Sequence, residues 1–448
     1  MRTVKAAATQ LFQRWAAMVV ASLVLVGCAG PTTQGEPHVD SMAKLPQQTL
    51  LTSSMRQRPV PGWTATVADL ELPPDTVVRP VGNVGDRGFF LGITGEGWWL
   101  LGLDVTNGRR LFGPTRLGSA RDATDFNCYV NGPPMVICVR QGPDLEVPST
   151  AWVVDTSSGK LNFDGPTPLR VAGAKKQPRL EQIGDYAIAG AEGKGIYGVG
   201  PRGDLTWFVP GNGILPTQFT RPGRDSPSST LAVQGSGGLT DVVFSVVDGK
   251  VVKPVVPQNV QLGHAVVYPG GFGYEYTIVG EFIDRIMFFD DTGKKLSEPE
   301  PGGTLATRSV DLPLVDAKAN DRIFTLEGRK LLELPPSGPA PDARLIGSRF
   351  FIATDADRRK WQQFDLRTGE PGKTCEGDSL GPYYIGSDGE VAVALGGDGP
   401  ARGVDLATCD TLWSIPAPAP TEAKEVWKVH GTLIQRTDDR LFSLVAPS

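Results

Sequence analysis

Cys28 is the residue whose surroundings most directly specify a reaction. It closes the run Leu25-Val26-Gly27-Cys28 at the end of an apolar stretch from Trp15 to Gly27, and the segment before that stretch carries Arg2, Lys5 and Arg14 with no acid. Charged start, apolar middle and small residue before the cysteine form the pattern of a bacterial lipoprotein signal, too short to span a bilayer as a helix. Gly27 would give a signal peptidase access to the backbone, and the Cys28 thiol would then take diacylglycerol. Residues 1–27 are therefore expected to be a removed leader, and the alternative is an ordinary secretory signal with an incidental cysteine. Two acyl chains suffice for stable anchoring, so the mature chain is expected on the extracytoplasmic face of a cell membrane.

Four cysteines remain, Cys128, Cys138, Cys375 and Cys409. An even number in an exported chain predicts two disulfides. Cys128–Cys138 is the favoured pair, because Asn131-Gly132-Pro133-Pro134 between two short apolar runs would fold the chain back and face the sulfurs across a hairpin. Cys375–Cys409 is then left; four buried free thiols are the alternative. No CxxC occurs, so a thioredoxin-type or cysteine zinc site is not expected.

Other chemistry is sparse. The three histidines are His38, His264 and His430, and the last two lie in strand-like surroundings where a hydrogen-bonded structural role is the expectation. No GxSxG, HExxH or Walker loop is present. Asp290–Asp291, Asp355/Asp357 and Asp438–Asp439 fall in or beside turns, and Arg358, Arg359 and Lys360 would repel a cation from Asp355 and Asp357. No catalytic residue, metal site or cofactor is predicted. The net charge is −5, and −8 without the leader, which argues against nucleic acid as a partner.

The 448 residues include 55 glycines and 38 prolines, a turn-rich composition with ample length for a large core. Residues 28–60 are polar and rich in Pro, Gln, Ser and Thr, and are expected to form a flexible tether with at most a short helix near Leu50–Met55. From residue 61 a pattern recurs: an apolar strand, an acid or substitute, a tight turn, and a second strand. Its turns fall at Asp104–Gly108, Asp155–Gly159, Gly203, Gly249, Asp291–Gly293, Gly328, Asp365–Gly369 and Asp405–Cys409, spaced 35 to 51 residues apart with a mean of 43. Glycine supplies positive φ there, and the acid accepts hydrogen bonds from turn N–H groups. This period, with apolar runs such as GFFLGI (88–93), predicts an all-β propeller of four-stranded blades over residues 61–448. The 35-residue step suggests that one hairpin is not a blade of its own; eight blades are expected, seven being the alternative. The last unit, residues 430–448, has two strands and no outer one, and residues 62–72 form an unpaired strand, so an N-terminal strand is expected to close the ring.

LDVTNG, VDTSSGKLNF, FDLRTGE and VDLATCDTLW resemble the PQQ-type propeller repeat, with Trp207 and Trp413 at its tryptophan position and Phe112 and Phe163 as substitutes. Lys295–Leu296, Leu332 and Pro371–Gly372 depart from it. The quinoprotein branch would imply quinone, calcium, an adjacent cysteine pair and a catalytic Asp. No such cysteine pair exists here, so that activity is not carried over. The chain better resembles exported PQQ-like propeller lipoproteins, which implies a monomeric, lipid-anchored scaffold that binds envelope or membrane proteins. With 28 Arg to 16 Lys and abundant Ala, Gly and Pro, a GC-rich actinobacterial source is expected. The alternatives are a degenerate quinoprotein-like oxidoreductase or propeller hydrolase, and a solute-binding sensor.

Overall fold

The computed structural model describes residues 45–448 except 120–124, 145, 174, 217–224, 226–228, 282, 300–301, 318–319, 336–341, 397–398 and 418–424. The leader, Cys28 and the first part of the expected tether lie outside the described residues. The rest forms a β-propeller. In chain order the sheets are blade 1 (residues 77–118), blade 2 (126–167), blade 3 (179–210), blade 4 (231–245), blade 5 (260–297), blade 6 (304–334), blade 7 (343–376), blade 8 (384–414) and blade 9 (425–445). Eight are four-stranded; blade 4 has two strands among the described residues. The hairpin at the 35-residue step does make a sheet of its own, blade 6, with shortened strands such as Thr304–Leu305 and Leu314–Asp316. The incomplete sheet is instead blade 4, whose turn at Gly249 has ordinary spacing.

Strand alternation builds the core between sheets, not within one. In blade 1, Phe89 packs with Trp98, Cys138 and Trp152 toward blade 2, while its neighbour Phe90 packs with Leu101, Val429 and Leu441 toward blade 9. Consecutive residues leave opposite faces, so a strand sandwiched between two sheets is apolar on both. Outermost strands are covered on one side only, and Leu161–Thr167 alternates between exposed and part-buried positions. Nine apolar clusters each join consecutive blades, the last joining blade 9 to blade 1. Val60–Thr66 closes the ring: it pairs antiparallel with Arg440–Val445 and supplies the outer strand of blade 9.

The repeated turns share one geometry. Asp104 Oδ1 accepts from Thr106 N at 3.1 Å, and Gly108 N donates to the Asp104 carbonyl at 2.8 Å with φ 74°. Asp155, Asp365 and Asp405 accept in the same way from Ser157, Arg367 and Ala407 N–H groups. At Gly293 the carboxylate that closes the turn is Asp290, which accepts from Thr292 N at 2.9 Å and Lys294 N at 3.0 Å, so Asp290 replaces Asp291 in that role. Bonding to the Thr292 hydroxyl holds Asp290 below its ordinary pKa, whereas burial pushes Asp291 up. Ser245 stands in for the acid before Gly249.

Several of these turns also receive the outer strand of the preceding blade. Trp63 lies on Gly108, where a Cβ would come within 2.5 Å of its ring; Phe112 lies on Gly159 and Trp207 on Gly249. Between blades 7 and 8 both halves of this contact are missing: Lys373 stands four residues after Gly369, the position of Phe112, Phe163 and Trp207 in their own blades, and Cys409 occupies the glycine position with φ 63°. There the disulfide Cys375–Cys409 joins the blades, and the Lys373 ammonium donates to the Thr408 carbonyl at 3.2 Å. The other disulfide joins Cys128 and Cys138, directly opposed on neighbouring strands of blade 2. A covalent link closing a loop of this length is worth roughly 3–4 kcal/mol through the unfolded state. Cys375→Ser/Cys409→Gly is therefore expected to lower urea stability by about that amount. Adding Lys373→Trp, which restores the contact used elsewhere, should recover roughly 1–2 kcal/mol. No recovery would refute the equivalence of the two devices.

Candidate functional site

The axis of a propeller is where a ligand funnel would lie. Here the described residues that reach the innermost strands include one from a distant part of the chain, Asp225. Asp225 precedes blade 4, yet its carboxylate pairs with Lys428 on Glu425–Val429, the innermost strand of blade 9, and accepts from the Tyr384 hydroxyl on Tyr384–Ser387, the innermost strand of blade 8. In a ring of nine sheets, blades 8 and 9 lie opposite blade 4, so this contact crosses the centre. Asp225 and Lys428 side chains are 1% and 10% exposed. Burial pushes the Asp225 carboxyl above its ordinary pKa, opposed by the Lys428 charge. Arg344, on the innermost strand of blade 7, stacks 4.5 Å over the Tyr384 ring.

A second segment meets it from one face. In an antiparallel four-stranded sheet the first and third turns lie at one end and the second at the other; the repeated Gly turns mark the first end, called here the turn face. Residues 45–55 run across that face. Gln48 exchanges hydrogen bonds with Gly347 of blade 7 at 2.9 and 2.8 Å. Leu51 N donates to Ser387 O of blade 8, and Thr52 N to Gly431 O of blade 9. Thr49 N reaches the Asp225 carbonyl at 2.5 Å, and Lys428 Nζ caps the Thr49 carbonyl at 2.5 Å. Met55 is 1% exposed, and its carbonyl accepts from Trp413 Nε1 at 2.7 Å. Residues 45–55 are thus a strap bound to the ring, not a free tether, and Leu50–Met55 is bent chain without a helix. Their polar composition serves backbone bonding to exposed turns, which composition alone does not separate from a solvated linker.

The two described histidines, His264 and His430, are not brought together. His264 on blade 5 holds Asp241 through Nδ1 at 2.6 Å, and Asp241 also accepts from Ala265 N at 3.0 Å. That hydrogen bond raises the His264 pKa above its ordinary value. His430, at a turn of blade 9, lies 3.8 Å from Asp86 of blade 1. Asp355 spends its carboxylate on the N–H groups of Arg359 and Lys360 at 2.8 and 3.0 Å. Among the described residues no group of three or more His, Cys, Asp or Glu is placed to hold a metal ion.

A family model described as a conjugation-associated 9-bladed beta-propeller domain matches residues 36–447. The chain belongs to this family. An uncharacterized protein of Mycolicibacterium smegmatis (strain MKD8) is 36% identical over 434 residues, covering 90% of this chain and 88% of its own length. Among solved structures, the chain is similar to BamB from Moraxella catarrhalis, with a TM-score of 0.43 and 10% identity over 87% of this chain and 100% of that one. It is also similar to the computationally designed Ika8 protein, with a TM-score of 0.34 and 11% identity over 89% of this chain and 100% of that one. The nine sheets seen here agree with the nine blades of the conjugation-associated family. In this conjugation-associated propeller the residues that sequence reasoning missed are Asp225, Lys428, Tyr384 and Arg344. One signal was available: residues 211–230, before blade 4, lack the apolar run that opens other blades.

Proposed function

We propose that this conjugation-associated propeller is a lipid-anchored, extracytoplasmic scaffold that works by binding a protein partner of the conjugation apparatus. The observation that carries this reading is the network that joins Asp225, Lys428, Tyr384 and Thr49 across the ring. Asp225, brought to the innermost strands of blades 8 and 9, spends its carboxylate on Lys428 and Tyr384 and its carbonyl on Thr49, so these polar groups serve to fasten the ring and the strap to each other. The family description supplies the conjugation setting. Two disulfides suit an oxidising compartment, and the lipobox at Cys28 supplies the anchor.

Binding is assigned to the end of the ring opposite the turn face. The strap begins at Leu45 beside blades 6 and 7 on the turn face, so the described part of the N-terminal segment leaves the other end free. On that free end Ile214, Leu239, Val279 and Ile283 are 50%, 80%, 70% and 57% exposed, on neighbouring connections of blades 3 to 5. Large apolar side chains gathered this way mark a docking surface. The test is photo-crosslinking from position 239 in the native membrane of the producing cell. A membrane or wall protein should be recovered, and Leu239→Glu/Val279→Glu should lower its yield by about tenfold or more. Recovery of no partner, together with turnover of a small molecule by the purified protein, would reject the scaffold reading.

A further inference from the structure

Blade 4 has the fewest described strands of the ring, Leu231–Gly235 and Asp241–Ser245. Beyond the turn at Gly249 the chain returns to it through a single bridge, Phe244 to Val251. At the end that carries Leu239, two residues fasten it to blade 5. Thr240 Oγ1 donates to the Leu262 carbonyl at 2.6 Å, and Tyr274 Oη donates to the Asp241 carbonyl at 2.7 Å. The Asp241 carboxylate takes both Ala265 N, at 3.0 Å, and His264 Nδ1, at 2.6 Å. Behind these bonds Leu231, Val233 and Val243 pack with Ala265, Val267 and Tyr274.

A β-bulge places the histidine. Leu262 pairs opposite Tyr276 and Ala265 opposite Tyr274, so Gly263 and His264 together oppose Glu275. An extra residue of this kind bends the strand and re-aims a side chain. His264 is thereby given to Asp241 of blade 4, while Glu275 Oε1 accepts from Leu305 N of blade 6 at 2.7 Å. The strands packed on Val260–Tyr268 are Leu231–Gly235, Asp241–Ser245, Gly271–Ile278 and Thr304–Leu305. Their titratable side chains are Asp241, Tyr274, Glu275 and Tyr276, and Asp284 on the next connection acts on Glu275. Burial holds both tyrosines protonated, so the charges brought to His264 are those of carboxylates, Asp241 and Glu275.

We propose that His264 is a proton-operated latch between blades 4 and 5, which when protonated holds the Leu239 and Val279 connections in their docking arrangement. Leu239 lies two residues before Asp241, and Val279 directly follows Gly271–Ile278, the strand that pairs with the bulge. The effect on docking rests on the scaffold reading, whereas the latch itself does not. The hydrogen bond to Asp241 raises the His264 pKa against the opposing effect of burial, and the Asp241 and Glu275 charges raise it further. Opening the junction returns the ring to its ordinary value of about 6.5. The added stability is therefore complete below that value and is lost as pH rises through the folded-state one. Above it a neutral ring can still donate from Nδ1, but a charge-assisted bond is roughly twice as strong as a neutral one.

The test is amide exchange of the purified full chain at about pH 6 and about pH 9, either side of the ordinary histidine value, with protection corrected for the intrinsic rate. Because the His264 side chain is 40% exposed, screening limits the effect, and protection of residues 231–245 should fall about threefold to fivefold more than that of Trp98–Asp104 in blade 1. His264→Gln keeps a donor for Asp241 and has no charge at either pH. It should lower protection at acid pH to the wild-type alkaline level and abolish the difference. Asp241→Asn removes the counter-charge and should bring the His264 ring titration, followed by NMR, back toward the ordinary value. An equal loss of protection at both pH values in His264→Gln, or a pH dependence unchanged from wild type, would overturn the latch. In the native membrane, crosslinking from position 239 should fall severalfold over the same interval in wild type and stay level in His264→Gln. The expected exchange result without any crosslinked partner keeps the latch and rejects the scaffold reading alone.

Discussion

Lys428→Met should destabilise the propeller by about 3–5 kcal/mol, because it leaves the Asp225 carboxylate buried without its counter-charge. Against a total of roughly 5–15 kcal/mol that loss is large. It also removes the donor that caps the Thr49 carbonyl, so the strap loosens together with the axis. The deficit should depend on pH in a definite direction. Burial raises the Asp225 pKa in the folded protein, and losing the lysine raises it further. The folded state then holds a proton more tightly than the unfolded chain does, where an Asp titrates near about 3.9. Stability linked to that proton is present at low pH and is lost as pH rises through the folded-state value. Urea unfolding should therefore show a smaller Lys428→Met deficit at acid than at alkaline pH. Lys428→Met/Asp225→Leu, which removes both charges, should recover most of the loss. A single variant with wild-type stability across that range would show that the pair does not hold the axis.

The contrast between these residues and the repeated turns explains what the sequence made legible. Asp104 and Gly108 are four residues apart, and their interaction is local, so the type and spacing of the two residues are enough to read the turn. Cys409 was readable as a turn residue for the same reason, because Asp405 precedes it at the same interval. Ring closure was readable because an unpaired strand at each end leaves one solution. Asp225 and Lys428 are 203 residues apart, and no local signal ties a carboxylate in a polar stretch to a lysine in a distant strand. The interval test that found eight turns also misled at blades 4 and 6. Turn spacing measures chain length between glycines, and a blade with strands of two or three residues keeps its sheet at short spacing. The departures from the repeat were visible as missing aromatics, but their consequences differ. Lys373 leaves a junction held by a disulfide, whereas Ser297, four residues after Gly293, donates to the Leu326 carbonyl of blade 6 at 2.8 Å. That difference depends on what the next blade places opposite, which lies outside any motif.

Trp63→Ala should have the other large effect, because Trp63 fastens the only junction at which the two ends of the propeller meet. Its indole lies against Gly108 of blade 1, and its Nε1 donates to the Val105 carbonyl at 2.8 Å. Loss of a part-buried indole and its hydrogen bond should cost about 3 kcal/mol, at the low end for a large aromatic because Trp63 keeps some exposure. Phe112 makes the equivalent contact with Gly159, but blades 1 and 2 are also joined by the chain between them. Phe112→Ala should therefore lower stability while leaving a single cooperative transition. In Trp63→Ala, Val60–Thr66 keeps its pairing with Arg440–Val445 and the packing of Ala65 but loses its fastening to the blade 1 turn, and its release uncovers a sheet edge able to pair with other molecules. Faster unfolding and concentration-dependent aggregation on heating are expected for Trp63→Ala and not for Phe112→Ala. Gly108→Ala approaches the same junction from the other side: its Cβ would come within 2.5 Å of the Trp63 ring at a positive φ, so a comparable loss should follow with the indole intact. If the two aromatic variants unfold alike in rate and cooperativity, the N-terminal strand is not the closure on which the ring depends.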